Sequence, residues 1–346
     1  MRATLSARLI VLIVLIALAT LLPGQSKTRA AEVAPPVTAT NAGPRLCFLQ
    51  AVPDDQRAAI ADDIKLLIGW TFDAYAAERR YQGGEIVDRT SGFTEVPGFA
   101  APTPMQDLGG RYRLVQPPFD RGRGYYGLLF AALDARSRPV ALILTNRLFR
   151  APVMLQQPVG LATDLLTNAA LAFDLNTDGV VDALAAAESA YAEATMRDVP
   201  LILSGQSQAG ATAQLQAAKL QKTHGGRPVP SGFISLNAAE ALFSVRGLGL
   251  DADRIDGVNF SKDYDPAFGP HALLANAVGR QIYVHPDGTA GAAPGTSTLF
   301  DALLHPREHL LDTFTKVSLA AGLKPVLAAA PKCTQPAATG SKGTDR

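Results

Sequence analysis

The run Val199-Pro-Leu-Ile-Leu-Ser-Gly-Gln-Ser-Gln-Ala-Gly210 constrains this chain more than any other stretch. Its first half is apolar and reads as a buried strand, and Ala211–Lys222 reads as a helix. Between them Ser207 is flanked by Gly205 and Ala209, two residues away on either side. A strand that turns sharply into a helix brings two backbones together, and only small side chains allow that passage. The turn lifts the serine hydroxyl off the sheet edge. There a base can reach it, and without a base a hydroxyl is a poor nucleophile. The helix start also aims backbone N–H groups at any negative charge that develops beside the serine. The same pattern arises by chance in other chains, so the serine needs a base and an acid elsewhere.

Further apolar runs punctuate the 346 residues. Tyr125–Leu133, Pro139–Leu144, Gly232–Leu236, Ile255–Phe260 and Gln281–Val284 read as strands. Asp54–Ala77 reads as a helix, with Ile60, Ile64, Leu67, Ile68 and Phe72 on one stripe. Leu161–Phe173 and Val181–Met196 also look helical, and His309–Leu327 mainly so. Arg80–Gln106 is rich in loop residues. Buried-type strands alternating with helices predict an α/β fold, its mostly parallel sheet covered by helices on both faces. Sites on such sheets form at the carboxyl ends of the strands.

Charge is nearly balanced, with 32 Lys and Arg against 31 Asp and Glu. No basic block is present, which argues against a nucleic-acid partner, and no protein partner is evident. Arg2 and Arg8 precede the apolar run Leu9–Leu22, which Pro23-Gly24 ends. That run is short for a membrane span and suits a signal-peptide core. We read residues 1–30 as a signal peptide and 31–44 as a linker. Residues 45–330 then form one domain and 331–346 a flexible tail. The expected location is periplasmic or secreted; an uncleaved N-terminal membrane anchor is the alternative. The only two cysteines, Cys47 and Cys333, flank almost the whole mature chain. In an exported protein that suggests a disulfide, against two separate thiols.

Asp263 and Asp265 follow the Ile255–Phe260 strand, where an acid could orient a histidine. Asp-Pro is also ordinary turn chemistry. Of five histidines, His224 ends the helix after Ser207, His271 and His285 fall in loops, and His305 and His309 come late. The last two suggest a metal pair, but Pro306 argues against one helix presenting both. A separate cation motif lies in Asp174-Leu-Asn-Thr-Asp-Gly-Val-Val-Asp182. Asp174, Asn176, Asp178 and Asp182, with the Val180 carbonyl, match alternate ligands of a calcium loop, and Gly179 matches its sharp turn. The acid at the loop's last position is missing, since Ala185 stands there. The other reading is a polar cap on the helix beginning near Val181.

From about Gly124 to Phe314 the chain resembles the class 3 lipase family of the α/β-hydrolases. Tyr125–Asp134 with the strand after it, Thr163–Asn168, the turn at Ser207, Ser235-Leu-Asn237, Asn259–Asp265 and His309–Phe314 resemble that family's blocks in order. The resemblance implies a carboxylic ester hydrolase with Ser207 as nucleophile, His309 as base and Asp265 as acid. His305 and Asp263 are the reserves. Two departures stand out. Thr145-Asn146-Arg147 replaces an Arg-Gly-Thr-like stretch, so the first oxyanion donor is a backbone N–H or side chain near Thr145 or Asn146. The second is the Gln208 N–H. Gln206 stands where a histidine is common. The implied substrate is an ester or lipid, with contact to a membrane surface left open. No cofactor is required; if the Asp174–Asp182 loop takes calcium, its role is structural. The alternatives are a non-catalytic envelope protein of the same fold, or an amidase or thioesterase on the same triad.

Overall fold

The computed structural model describes residues 44–81, 110–120, 125–148, 178–238, 241–262, 278–285, 287–291, 314 and 317–333. Among them nine strands form one sheet: β1 (Tyr112–Leu114), β2 (Phe119–Asp120), β3 (Tyr125–Leu133), β4 (Pro139–Leu148), β5 (Leu201–Gln206), β6 (Ser231–Leu236), β7 (Gly257–Lys262), β8 (Arg280–Val284) and β9 (Ala290–Gly291). The order is β1-β3-β4-β5-β6-β7-β8-β9, with β2 also paired to β3. β4 through β8 run parallel, and β3 and β9 are antiparallel to their neighbours. The described helices are α1 (Cys47–Gln50), α2 (Asp54–Tyr81), α3 (Asp178–Arg197), α4 (Ser207–His224), α5 (Leu242–Gly247) and α6 (Leu319–Ala329). This is an α/β fold, with a mostly parallel sheet flanked by helices on both faces.

The direction of travel across the sheet decides which helix covers which face. From β4 to β6 each new parallel strand is laid beside the last, always on the same side. Right-handed crossovers must then put the connecting helices on one face. That face buries Leu142, Leu144, Leu201 and Leu203 under alanines of α3 and α4. No crossover among these strands can cover the opposite face. Ile143, Ile202, Ile234 and Phe260 are covered there by α1 and α2 from the start of the chain and α6 from its end.

Local chemistry matches these roles. α2 opens with Asp54 and Asp55, acids that suit a helix N-terminus, and buries Ile60, Ile64, Leu67 and Ile68 as the stripe predicted. It runs through Tyr81, four residues beyond the sequence reading. The turn between β3 and β4 is built on Asp134, whose Oδ1 accepts the N–H groups of Arg136 (2.8 Å) and Arg138 (2.9 Å). The late helix differs from expectation. Ser318 is extended and accepts the Ala321 N–H through its hydroxyl, so α6 starts at Leu319 rather than near His309. Asp62 of α2 accepts the Ala320 N–H at 3.1 Å and fixes α6 against α2.

Cys47 and Cys333 form a disulfide, with Cα atoms 5.5 Å apart. Gln50 reinforces the junction: its Nε2 donates to the Pro331 carbonyl at 2.9 Å and its Oε1 accepts the Cys333 N–H at 3.0 Å. The chain is therefore held through Cys333, the third residue of the stretch read as tail. Among the described residues no helix is long and apolar enough to cross a membrane.

Candidate active site

β5 is buried along its whole length and extended up to Gln206 (φ −115°, ψ 150°). Ser207 then takes φ 54° and begins α4. A non-glycine residue in the left-handed region costs about 1–2 kcal/mol and persists only where its surroundings over-determine it. Here they do. A β-carbon on Gly205 would lie 2.5 Å from the Ala209 carbonyl group, and one on Gly210 would lie 2.5 Å from Cβ of Ala238. Strand, helix and the exit of β6 thus meet at backbone contact. The second close approach involves Gly210, which the spacing argument did not single out, and Ala209 is buried at the first. Ser207 stays partly exposed at the carboxyl edge of the sheet. Like any helix start, the first turn of α4 has N–H groups without intrahelical partners, that of Gln208 among them.

Asn146 was expected to lend an oxyanion donor near Ser207. Its side chain is instead spent in the core. Oδ1 accepts from the Tyr125 hydroxyl at 2.7 Å and from Gln216 Nε2 at 3.1 Å. Nδ2 donates to the Ser204 carbonyl at 3.0 Å and to Gln216 Oε1 at 2.8 Å. Gln216 Nε2 also donates to the Ala183 carbonyl at 2.7 Å. This network ties α4 to β4, β5 and α3 just below the serine. Burial pushes the Tyr125 phenol above its ordinary pKa, which keeps it a donor. The neighbouring side chains are engaged on the opposite face. Thr145 Oγ1 bonds Thr71 Oγ1, and the Arg147 guanidinium lies 3.5 Å from the ring centroid of Tyr75. An oxyanion donor from Thr145 or Asn146 would therefore have to be a backbone N–H.

Asn146→Ala should cost about 3 kcal/mol or more, because it strands the Gln216 amide and the Tyr125 hydroxyl in a buried site. Denaturant unfolding checks this, and a loss under about 1 kcal/mol would mean that other partners replace the amide.

β7 ends at Lys262 on the same sheet edge, with Asp263 next in the chain. Asp263, Asp265, His305 and His309 lie outside the described residues. Phe314, which closes the histidine block, is fully buried. Its ring centroid is 5.6 Å from Lys262 Nζ, at the carboxyl end of β7. Of the other histidines, His224 pairs with Glu188 at 2.8 Å and stacks on Tyr191, far along α4 from Ser207. His285 follows β8, and His271 lies outside the described residues.

The calcium-loop expectation meets a helix. α3 already runs from Asp178, so Gly179 is helical rather than at a reversal, and Val180 and Asp182 are buried within that helix. Asp174 and Asn176 lie outside the described residues, among which no cluster of three His, Cys, Asp or Glu is present.

Sequence reasoning passed over a polar row at this end of the sheet. Ser235 Oγ donates to Asn259 Oδ1 at 2.9 Å, and Asn259 Nδ2 donates to Gln281 Oε1 at 3.0 Å. The signal was present in β6 and β7, where Ser235, Asn259 and Ser261 place polar residues toward the carboxyl ends of otherwise apolar runs.

No protein-family model and no curated protein matches the chain. Among solved structures, the extracellular lipase LipA from Serratia marcescens aligns with TM-score 0.43 and 14% identity, over 81% of this chain and 53% of that one. This chain thus spans about half the length of the Serratia protein. Lipase II from Rhizopus niveus aligns with TM-score 0.37 and 14% identity, over 69% and 85% of the two chains. A lipase from Rhizopus microsporus var. chinensis gives 0.37 and 16%, over 81% and 92%. At these scores and identities the likeness carries no weight of its own. The fold class rests on the strand order, the two covered faces and the junction at Ser207.

Proposed function

We propose that this protein is an exported serine hydrolase that cleaves carboxylic esters through an acyl-enzyme. Ser207 attacks the ester carbonyl. His309 takes its proton and passes it to the leaving alkoxide, while Asp265 orients His309 and stabilises its charged form. Backbone N–H groups, that of Gln208 first, hold the oxyanion. Water then releases the acid. The observation that carries this reading is the positive φ of Ser207 at the junction of β5 and α4. Strain at a surface-reachable serine, held by backbone contacts on either side, has a use if the hydroxyl must stand clear of the sheet. The Cys47–Cys333 bridge supports an oxidising destination.

The deciding experiment treats the purified protein with a fluorophosphonate probe, then with esters of graded acyl length. Labelling confined to Ser207, together with ester turnover, supports the reading. Absence of both favours the non-catalytic envelope protein, a reading to which the core-engaged side chains of Thr145, Asn146 and Arg147 lend some weight. Amide or thioester turnover exceeding that of esters would move the reaction class but keep the triad.

In sequence, Leu148–Leu161 begins at the last residue of β4 and carries Phe149, Val153, Met154, Leu155 and Val159. Residues 149–161 lie outside the described residues. As part of the proposal, these side chains contact the acyl chain. Met154→Asp and Leu155→Asp should then reduce hydrolysis of long-chain esters more than that of acetate esters. Equal loss on both would assign them to packing.

A further inference from the structure

β6 and β7 pair in parallel as far as Leu236 and Phe260. One residue further, the Asn237 N–H donates to the Phe260 carbonyl at 2.7 Å, as a continuing strand would. In a parallel ladder the carbonyl of that same residue would next accept the N–H of Lys262. The backbone does not supply it. Asn237 turns into the left-handed region (φ 44°), and the chain leaves the sheet to set Ala238 against Gly210 of α4. The Asn237 side chain takes over: Oδ1 accepts the Lys262 N–H at 2.9 Å. The substitution lets β6 end early while β7 stays anchored to its last residue. Asn259 secures the other side of the turn by accepting the Ala238 N–H at 3.4 Å.

Lys262 is therefore held at two points, by Asn237 at its backbone and by Phe314 beneath its ammonium group. Asp263 is the next residue and Asp265 the third after it. We propose that Asn237 is a positioning residue. By standing in for the missing strand carbonyl it fixes how the chain leaves β7, and so how the carboxylate from that exit meets the base. This rests on the Ser207 hydrolase reading. It adds a residue that neither touches substrate nor belongs to the triad.

The two duties of Asn237 can be separated by substitution. Glycine adopts φ 44° freely and lacks only the acceptor; aspartate keeps an acceptor oxygen and tolerates the left-handed region. The expected result for Asn237→Gly is a kcat reduced about a hundredfold, as for a misplacement on the order of 1 Å. KM and melting temperature should stay close to wild type. The acid limb of the kcat/KM profile should move to lower pH, because a carboxylate no longer held beside the base stops favouring its protonated form. Asn237→Asp should restore both kcat and the profile. Wild-type kcat and profile in Asn237→Gly would overturn the proposal. So would a loss that aspartate fails to rescue, or one that follows the melting temperature with the profile unmoved. Wild-type protein that neither turns over esters nor labels at Ser207 removes the hydrolase reading itself. An active, labelled wild type with an indifferent Asn237→Gly removes only the positioning role.

Discussion

Ser207→Ala should reduce ester hydrolysis by about a millionfold, to background, since a nucleophile acting with its base and acid is lost as a unit. Folding should survive. The side chain is small and partly exposed, and its turn is held by close approaches of Gly205 to the Ala209 carbonyl and of Gly210 to Cβ of Ala238. Fluorophosphonate labelling should vanish together with turnover. A companion variant tests the geometry without any substrate. At φ 54° the β-carbon of serine and that of alanine are equally unwelcome, and glycine has none. Ser207→Gly should therefore be more stable than Ser207→Ala by about 1 kcal/mol. At an ordinary helical position the order reverses, because glycine then costs about 1 kcal/mol relative to alanine. Denaturation midpoints of the two inactive variants decide whether the turn holds the strained form.

The next largest effect belongs to the disulfide. Cys47→Ser with Cys333→Ser opens a loop of 286 residues. The chain-entropy treatment assigns such a closure about 4–5 kcal/mol at most. The bridge is also where two separate coverings of one sheet face meet. Phe48 packs in the same cluster as Leu319 and Leu323, and the hydrogen bonds that Gln50 donates to Pro331 and accepts from Cys333 exist only while the two ends stay together. Asp256 adds a weaker hold, accepting the N–H groups of Arg45 and Leu46 at 2.8 and 3.2 Å. The expected result is a large drop in the denaturant midpoint, matched by wild-type protein in reductant. A drop under about 1 kcal/mol would mean that Gln50 and Asp256 hold the ends without help.

What the sequence showed, it showed through burial. β3 and β5 are covered on both faces, so every residue but Gln206 is apolar or small and the run stands out. The junction at Ser207 was legible because contact between backbones demands small residues at set positions. The shortest strands were not. β1, β2 and β9 span two or three residues, too few for a period to appear. The side-chain alternative for Asn146 is closed for a reason of parity, and the backbone alternative is not. Asn146 lies two and four residues beyond Leu144 and Leu142, on the face that packs against α4, and alternation in a strand sends its side chain there rather than to the edge. The same parity argument, applied to the sequence, would have assigned it to the core. Asn237 was quoted as part of a family block, but its role depends on a left-handed backbone that no residue pattern displays.

The division of labour between the two sheet faces also sets an order of events during synthesis. α3 and α4 emerge between the strands they cover, so their face can close while the chain is still growing. The other face begins with α2, made before any of the strands, and waits for α6 and Cys333, the last described parts of the chain. Until α6 arrives, its share of the cover over Phe260 and Ile282 is missing, about two hundred residues after α2. A ribosome-bound chain of this topology is thus a sheet with one side unfinished, the kind of surface on which holding chaperones act.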